Sequence, residues 1–155
     1  MFVLVRHAHA GEKKSWHGPD ADRPLSTLGY RQARGLVAAL DGIKLRALFA
    51  SPTTRCHQTL LPLAAARGMR IEDHPLLAVG APTDQLIAVL EAPEADGAVF
   101  CTHREVLDNL AELARSHGAT WAPPAASTEK GGAWIVDRSA DPAPTLRYLP
   151  PAPPT

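Results

Sequence analysis

Short segments typical of β-strands alternate along the chain with longer segments whose apolar residues recur at helical spacing. The predicted strands are Phe2–Val5, Ala47–Ala50, Arg70–Glu72, Ala98–Cys101, Ala133–Val136 and Leu146–Leu149. The first is apolar throughout, which is typical of a strand buried on both faces. Strands that alternate with helices predict a mostly parallel sheet covered by helices on both sides, a three-layer α/β/α sandwich.

Four segments carry the apolar periodicity of amphipathic helices. The predicted helices begin at Ser26, Ser51, Thr83 and about Arg104. For the second helix, Ser51 is expected to be the N-cap residue and Pro52 to occupy the first helical position. Pro62 lies inside that segment and is expected to kink the helix or end it early, because proline lacks the backbone N–H that a helix uses.

The chain has 155 residues, the length of one ordinary domain, which we assign to residues 1–149 with a proline-rich tail at 150–155. No apolar run approaches the ~20 residues that span a bilayer, and the first strand does not resemble a signal peptide. We therefore expect no membrane association and a cytoplasmic location. Two cysteines make no disulfide framework; Cys101 is expected in the core and Cys56 at the surface.

The charge balance excludes one class of partner. The chain has 16 basic and 16 acidic side chains and thus no net charge with histidine neutral. A protein that binds a nucleic acid polymer normally carries a basic excess. We therefore expect a small or protein-borne substrate rather than DNA or RNA, while the oligomeric state stays open.

Basic side chains follow strands or begin helices at three distant places. Arg6 and His7 follow the first strand, Arg55 lies near the start of the second helix, and His103 follows the fourth strand. The carboxyl ends of parallel strands meet at one edge of a sheet, where ligands bind. Two guanidinium groups, two imidazoles and nearby helix N-termini would together suit a doubly charged phosphate group.

The sequence around these residues resembles the histidine phosphatase superfamily in four ordered blocks. The blocks are Leu4–Ala8, with Ala8 where the family has glycine; Asp22–Ser26 with Leu28 and Gly29; Ser51 and Pro52 with Arg55, Gln58 and Thr59; and Thr102 with His103. The resemblance covers residues 2 to about 110. It is closest to the short SixA-type phosphohistidine phosphatases, and the chain is also similar to the phosphatase-like domain of actinobacterial Nudix fusion proteins, which act on nucleotides.

The resemblance implies a role for each residue of the cluster. His7 would be the catalytic nucleophile, and His103 would be both catalytic and phosphate-binding. Arg6 and Arg55 would hold the phosphoryl oxygens together with His103. His7 must be neutral to attack phosphorus, and the neighbouring arginines should disfavour its protonated form. Its second ring nitrogen should donate to a fixed acceptor, which the sequence does not identify. No metal and no cofactor is implied.

The sequence departs from the family where many members carry a glutamate that protonates the leaving group. Residues 75–82 contain no carboxylate. Imidazole and nucleoside phosphates leave more readily than an alkoxide, so this absence favours phosphohistidine or phosphoanhydride substrates. Phosphohistidine in a protein is the preferred substrate and a nucleotide the alternative. Asp84, Glu105, His9 and His17 remain candidate proton donors.

The polar loop that follows His7 is a candidate substrate loop. Its candidate residues are His9, Lys13, Lys14, Trp16 and His17. The lysines could attract an anionic substrate, and Trp16 could stack on a base or cover a protein surface. A solvated loop with an incidental tryptophan explains the same sequence equally well.

Two other functions are compatible with parts of the sequence. His7 and His9 at the end of a strand could form an H-x-H metal pair, although Arg6 would then lie beside a cation and no further ligand set is evident. A non-catalytic phosphate-binding module would use the same cradle, but such a protein would be expected to have lost His7 or one of the arginines.

Overall fold

The computed structural model describes residues 1–153, which form one six-stranded sheet between two layers of helices. The strands are β1 (Phe2–Arg6), β2 (Ala47–Ala50), β3 (Ile71–Asp73), β4 (Ala98–Thr102), β5 (Ala133–Asp137) and β6 (Thr145–Leu149), and the helices are α1 (Thr27–Ala39), α2 (Thr54–Arg67), α3 (Thr83–Glu91) and α4 (Arg104–Ser116). The strand order is β3-β2-β4-β1-β5-β6. Neighbouring strands from β3 to β1 are parallel, and β5 is antiparallel to both β1 and β6. This confirms the predicted three-layer sandwich.

Alternate side chains of β1 enter two separate cores, one on each face of the sheet. Phe2 and Leu4 pack in a cluster with residues of α3 and α4. Val3 and Val5 pack on the opposite face in a cluster with residues of α1 and α2. All four side chains are buried, as expected for a strand that is apolar throughout.

The parallel strands bring three chain junctions to the same edge of the sheet. Arg6 pairs in register with Thr102, and Ala50 pairs with Cys101. The residues that follow these strands, His7, Ser51 and His103, therefore leave the sheet side by side. The sheet edge thus assembles residues that are 96 positions apart in the sequence.

Helix α2 begins later than the sequence indicated, and it stops at Gly68, as the sequence indicated, without being ended early by Pro62. Ser51 is not its N-cap residue, because the helix begins at Thr54 with Thr53 in the capping position. Pro62 does not end the helix, which continues to Arg67 and ends at Gly68 in the left-handed conformation, with φ 63°. Burial of Leu60 and Leu63 against the sheet holds the segment helical around the proline.

The expectation that Cys56 lies at the surface is wrong. Its side chain is fully buried in the cluster between α2 and the sheet. Cys56 precedes Leu60 by four positions and Leu63 by seven, so all three lie on the same face of the helix. Cys101 is buried in the same cluster, as predicted.

The segment after β6 returns over α1. A side chain at Gly35 of α1 would bring its Cβ within 2.5 Å of the Cβ of Ala152, so glycine at this position permits the close approach. Residues 154 and 155 of the predicted tail lie outside the described residues. Within residues 1–153, no helix is long and apolar enough to cross a membrane.

Candidate active site

His7 is held in one orientation and one protonation pattern by the backbone around it. Its backbone N–H donates to the carbonyl of Thr102 at 3.0 Å, which ties the start of the loop to β4. Its ring Nδ1 lies 2.9 Å from the carbonyl oxygen of Ala8. A carbonyl only accepts hydrogen bonds, so Nδ1 carries the proton and Nε2 keeps a free lone pair. The carbonyl of Ala8 is the fixed acceptor that the sequence left unidentified.

The motif residue Thr59 anchors this arrangement from α2. Its hydroxyl oxygen accepts the backbone N–H of Ala8 at 2.9 Å and donates to the carbonyl of Arg55 at 2.7 Å. Thr59 is fully buried. One side chain therefore fixes both the peptide that orients His7 and the helical turn that carries Arg55.

His7 is neutral over the whole physiological range. Burial is the largest cause that lowers its pKa to about 3, and electrostatic interactions with Arg55, His103 and Arg6 act in the same direction, opposed by the hydrogen bond to Ala8. From the sequence, the lowered pKa of His7 was expected to come from the neighbouring arginines, whereas burial is its largest cause. The residue as a whole is 8% exposed.

The lowered pKa of His7 predicts that folding stability depends on pH. The unfolded chain, with a pKa of 6.5 at this residue, binds more protons than the folded chain, whose pKa is about 3. The contribution to stability is fully present above about pH 6.5 and is lost as the pH falls towards 3. For His7→Asn, which has no proton to gain, we expect the decrease in unfolding free energy between about pH 7 and pH 4.5 to be smaller by about 2–3 kcal/mol.

Urea unfolding of both proteins at the two pH values measures this difference, with His117→Asn as a control because His117 is exposed at the end of α4. If the unfolding free energy fell by the same amount in the wild type and in His7→Asn, the lowered pKa assigned to His7 would be contradicted.

His103 faces His7 from the N-terminus of α4. The two ring centroids are 5.4 Å apart, with the planes inclined at 67°. His103 is 2% exposed, and its Nε2 lies 2.9 Å from the hydroxyl oxygen of Ser51. When Ser51 donates this hydrogen bond, Nδ1 of His103 retains its proton and can donate to an oxyanion. Ser51 thus orients the second histidine instead of capping α2.

Arg6 and Arg55 are each anchored at the ends of their guanidinium groups. Arg6 donates from Nη1 to the carbonyl of Thr128 at 2.8 Å. Arg55 donates from Nη1 to the carbonyl of Asp20 at 2.8 Å and from Nη2 to its carboxylate at 3.1 Å. The Nε of each arginine is buried and has no hydrogen-bond partner within residues 1–153. Buried donors normally have partners, so each of these N–H groups has hydrogen-bonding capacity that the described residues do not satisfy.

Asp20 is a site residue that the sequence analysis missed. It lies in a short 3-10 turn, Asp20–Asp22, and its carboxylate also accepts a hydrogen bond from Nε of Arg23 at 3.0 Å. Partial burial raises its pKa, but the hydrogen bond from Arg23 and the charges of Arg55, Arg23 and Lys13 outweigh burial, so its pKa is lowered. Asp20 is therefore ionised and is not a proton donor at neutral pH. The position of Asp20 next to Arg55 depends on the path of residues 8–26, which the spacing of residues in the sequence does not predict.

The residues of the candidate substrate loop have different positions. His9 faces α1, with its Nδ1 2.6 Å from the hydroxyl oxygen of Ser26 and its backbone N–H donating to the side chain of Gln32. Lys13, Lys14 and His17 are exposed. Trp16 is exposed as well, and its Nε1 donates to the carbonyl of Pro19 at 2.8 Å. His9 thus fastens the loop to α1, and the other four residues lie on its outer part.

Gly29, the glycine of the second sequence block, is required for this contact between the loop and α1. A Cβ at Gly29 would lie 2.0 Å from the carbonyl oxygen of His9, far inside any permitted contact. The same carbonyl accepts the backbone N–H of Ser26 at 3.0 Å. Glycine at this position therefore allows the loop to lie directly on the first turn of α1.

His7 and His9 have different surroundings, with the Nδ1 atoms engaged by Ala8 and Ser26, respectively. No group of three or more histidine, cysteine, aspartate or glutamate side chains in residues 1–153 is arranged to hold a metal ion.

Comparison with known proteins agrees with this geometry. The sequence profile of the histidine phosphatase superfamily (branch 1) matches residues 2–78, the part of the chain that contains β1, the loop with Asp20, and α2. The chain belongs to the histidine phosphatase superfamily. The assignment of this family on sequence motifs is thereby confirmed.

Relatives within the superfamily have more than one kind of substrate. The chain is 34% identical over 142 residues to an 8-oxo-(d)GTP phosphatase of Mycolicibacterium smegmatis, a match that covers 88% of the chain and 44% of that protein. Its fold is similar to that of the protein histidine phosphatase SixA complexed with tungstate, with a TM-score of 0.77 and 21% identity over 97% of this chain and 96% of the other. A SixA homologue from Agrobacterium tumefaciens gives a TM-score of 0.71 and 22% identity, over 97% of each chain.

Proposed function

We propose that this chain is a metal-independent phosphatase in which His7 takes a phosphoryl group from the substrate and water then hydrolyses the phospho-His7 intermediate. The observation that carries this proposal is the state of the His7 ring. Its Nδ1 proton is donated to Ala8, and its pKa near 3 leaves Nε2 unprotonated at neutral pH. A neutral imidazole nitrogen with a free lone pair is a competent nucleophile.

Both steps are displacements at phosphorus. In the first, Nε2 of His7 forms a bond to phosphorus, and the leaving group departs with the electron pair of the broken bond. In the second, water attacks phosphorus, the bond to Nε2 breaks, and the nitrogen recovers its lone pair as phosphate is released. The unpaired Nε groups of Arg6 and Arg55, together with His103, would hold the phosphoryl oxygens and stabilise the charge that develops in each transition state.

The proposed leaving group is one that needs little or no protonation. Residues 75–82 carry no carboxylate, and the pKa of Asp20 is lowered, so it is ionised. An alkoxide would leave without a proton donor only slowly. Phosphohistidine, whose imidazole leaves with its far nitrogen already protonated, and phosphoanhydrides of nucleotides both satisfy this requirement.

Each of these two substrate classes has separate support. Phosphohistidine in a protein is the substrate class named for the SixA-like structures that this fold matches. A nucleotide is supported by the relative at 34% identity, whose name gives 8-oxo-(d)GTP as its substrate. We also propose a cytoplasmic location, which the two buried free thiols Cys56 and Cys101 support because reducing compartments keep thiols unpaired.

The decisive experiment traps the intermediate. Substrate labelled in the transferred phosphate is mixed with the enzyme, the reaction is stopped in alkaline denaturant, and the labelled residue is mapped. We expect label on His7 that is stable to alkali and lost in acid, as for any phosphorus–nitrogen bond, and turnover that survives chelator treatment. Loss of activity with chelator would favour a metal hydrolase. Binding of phosphate analogues without label or turnover would favour a non-catalytic module.

A further inference from the structure

A cavity opens in the loop that follows β1. It has a volume of about 250 Å³, and its walls include Trp16, Pro24 and Leu25, with Glu12, Ser15 and Arg23 as polar groups. Pockets for whole drug-sized ligands have volumes of about 300–1,000 Å³, so this one suits a single ring system. A folded partner protein would instead require an interface of about 800 Å² on each side.

Trp16 is a fixed wall of this cavity. Its indole N–H donates to the carbonyl of Pro19 at 2.8 Å, which closes a tight loop from residue 16 to residue 19. Gly18 lies against the indole, because a Cβ added there would be 3.3 Å from ring atoms of Trp16. The residue is nevertheless 38% exposed. A tryptophan that is held in place on one side and open on the other can act as a stacking surface without a large loss of side-chain entropy on binding.

The cavity is connected to the phosphate-binding residues through a single carboxylate. Arg23, a residue of the cavity wall, donates to one oxygen of Asp20, and Arg55 donates to the other. The charge of Lys13 also acts on Asp20. Three cations around this one carboxylate leave a net excess of positive charge next to the cavity wall at Arg23, which suits a chain of phosphate groups better than an uncharged substrate.

We propose that this cavity is a subsite for the base of a nucleoside polyphosphate, which stacks on Trp16 while its terminal phosphate lies between His7, His103 and Arg55. The inference rests on the proposed function for the chemistry at His7 and adds the substrate class. The sugar and the remaining phosphates span the positive region of Arg23 and Lys13. Glu12 and Ser15 present polar groups to the edge of the base.

The test compares a nucleotide with a substrate that lacks a base. Values of kcat/KM are measured for guanosine diphosphate and for a small aryl phosphate with the wild type, Trp16→Ala and Trp16→Phe. Leu61→Ala serves as control, since Leu61 is an exposed apolar side chain on α2, outside the cavity wall. Stacking of a base on an aromatic side chain supports a loss of about tenfold or more when the ring is removed.

We expect Trp16→Ala to lower kcat/KM for the nucleotide by at least about tenfold more than for the aryl phosphate, mainly through KM. Trp16→Phe should recover most of the loss, and Leu61→Ala should change neither substrate. Equal losses for the two substrates would overturn the proposal. The proposal would also be overturned if Trp16→Ala lowered kcat/KM for a phosphohistidine protein selectively, that is, by more than for the aryl phosphate. Label on His7 from the aryl phosphate tests the proposed function separately, so a failed base subsite would leave that result intact.

Discussion

His7→Ala is expected to lower kcat by about 10⁴-fold or more for every substrate, and to abolish labelling of the protein by substrate phosphate. The reason is that no other side chain in the described cluster combines a free imidazole lone pair with access to phosphorus. His103 has its Nε2 engaged by Ser51, and His9 has its Nδ1 engaged by Ser26. Loss of the nucleophile therefore removes the covalent route instead of weakening one contact.

The measurement is kcat on an aryl phosphate and on a nucleotide, with stability monitored by urea unfolding. His117→Ala is the control, because His117 is exposed at the C-terminal end of α4. His7→Ala should still bind tungstate or vanadate through the arginines, which separates lost chemistry from a lost binding site. A variant that retained a tenth of the wild-type kcat would refute the role of His7 as nucleophile.

The inner strands of the sheet could be predicted because their apolar content is unambiguous. Phe2–Val5 is apolar throughout, and the structure buries all four side chains between the two helix layers. Placement of Arg6, His7 and His103 at the carboxyl edge then follows from parallel pairing alone. The same argument could not describe the loop between β1 and α1, whose path depends on the contacts of His9 with Ser26 and Gln32.

The errors at Ser51 and Cys56 have different causes. The sequence Ser51-Pro52 fits a helix start, and local propensity assigns the serine hydroxyl to backbone N–H groups. In the folded chain the hydroxyl contacts His103, which lies 52 positions away. Cys56 lies four positions before Leu60 and seven before Leu63, so helical spacing places it on their buried face. The contact of Ser51, in contrast, is a tertiary contact that a short sequence window does not contain.

Asp20 illustrates the limit of local sequence patterns at the proposed phosphate site. Nothing in the segment Pro19–Asp22 distinguishes one aspartate from the other, yet Asp20 contacts Arg55 and Arg23, whereas Asp22 is exposed. By holding Nη1 and Nη2 of Arg55, Asp20 fixes the plane of the guanidinium group, while the buried Nε has no hydrogen-bond partner in residues 1–153. The carboxylate therefore acts as a positioning group for Arg55, and its charge is balanced by Arg23.

Arg55→Ala is the second change for which we expect a large effect, a decrease in kcat of about 10²–10³-fold, the range found when one donor to a developing oxyanion is removed. Arg55→Lys should recover little of this loss. A lysine ammonium is a single charged point, and it cannot bond both to Asp20 and to a phosphoryl oxygen with the planar geometry of guanidinium. Arg6→Ala should fall in the same range, because its Nε is also buried without a partner in the described residues.

The measurement that separates a phosphate-binding role from a structural one is the inhibition constant of vanadate alongside kcat, with Arg34→Ala as control because Arg34 is exposed on α1. Vanadate can adopt the five-coordinate geometry of phosphoryl transfer, so the Arg55 and Arg6 variants should lose affinity for vanadate in proportion to their loss of kcat. A variant that only loosens the fold would lose unfolding free energy without a proportional loss of vanadate affinity. Either arginine variant with turnover within about twofold of the wild type would remove that residue from the phosphate site, since the loss of a donor to the transition state must appear in kcat.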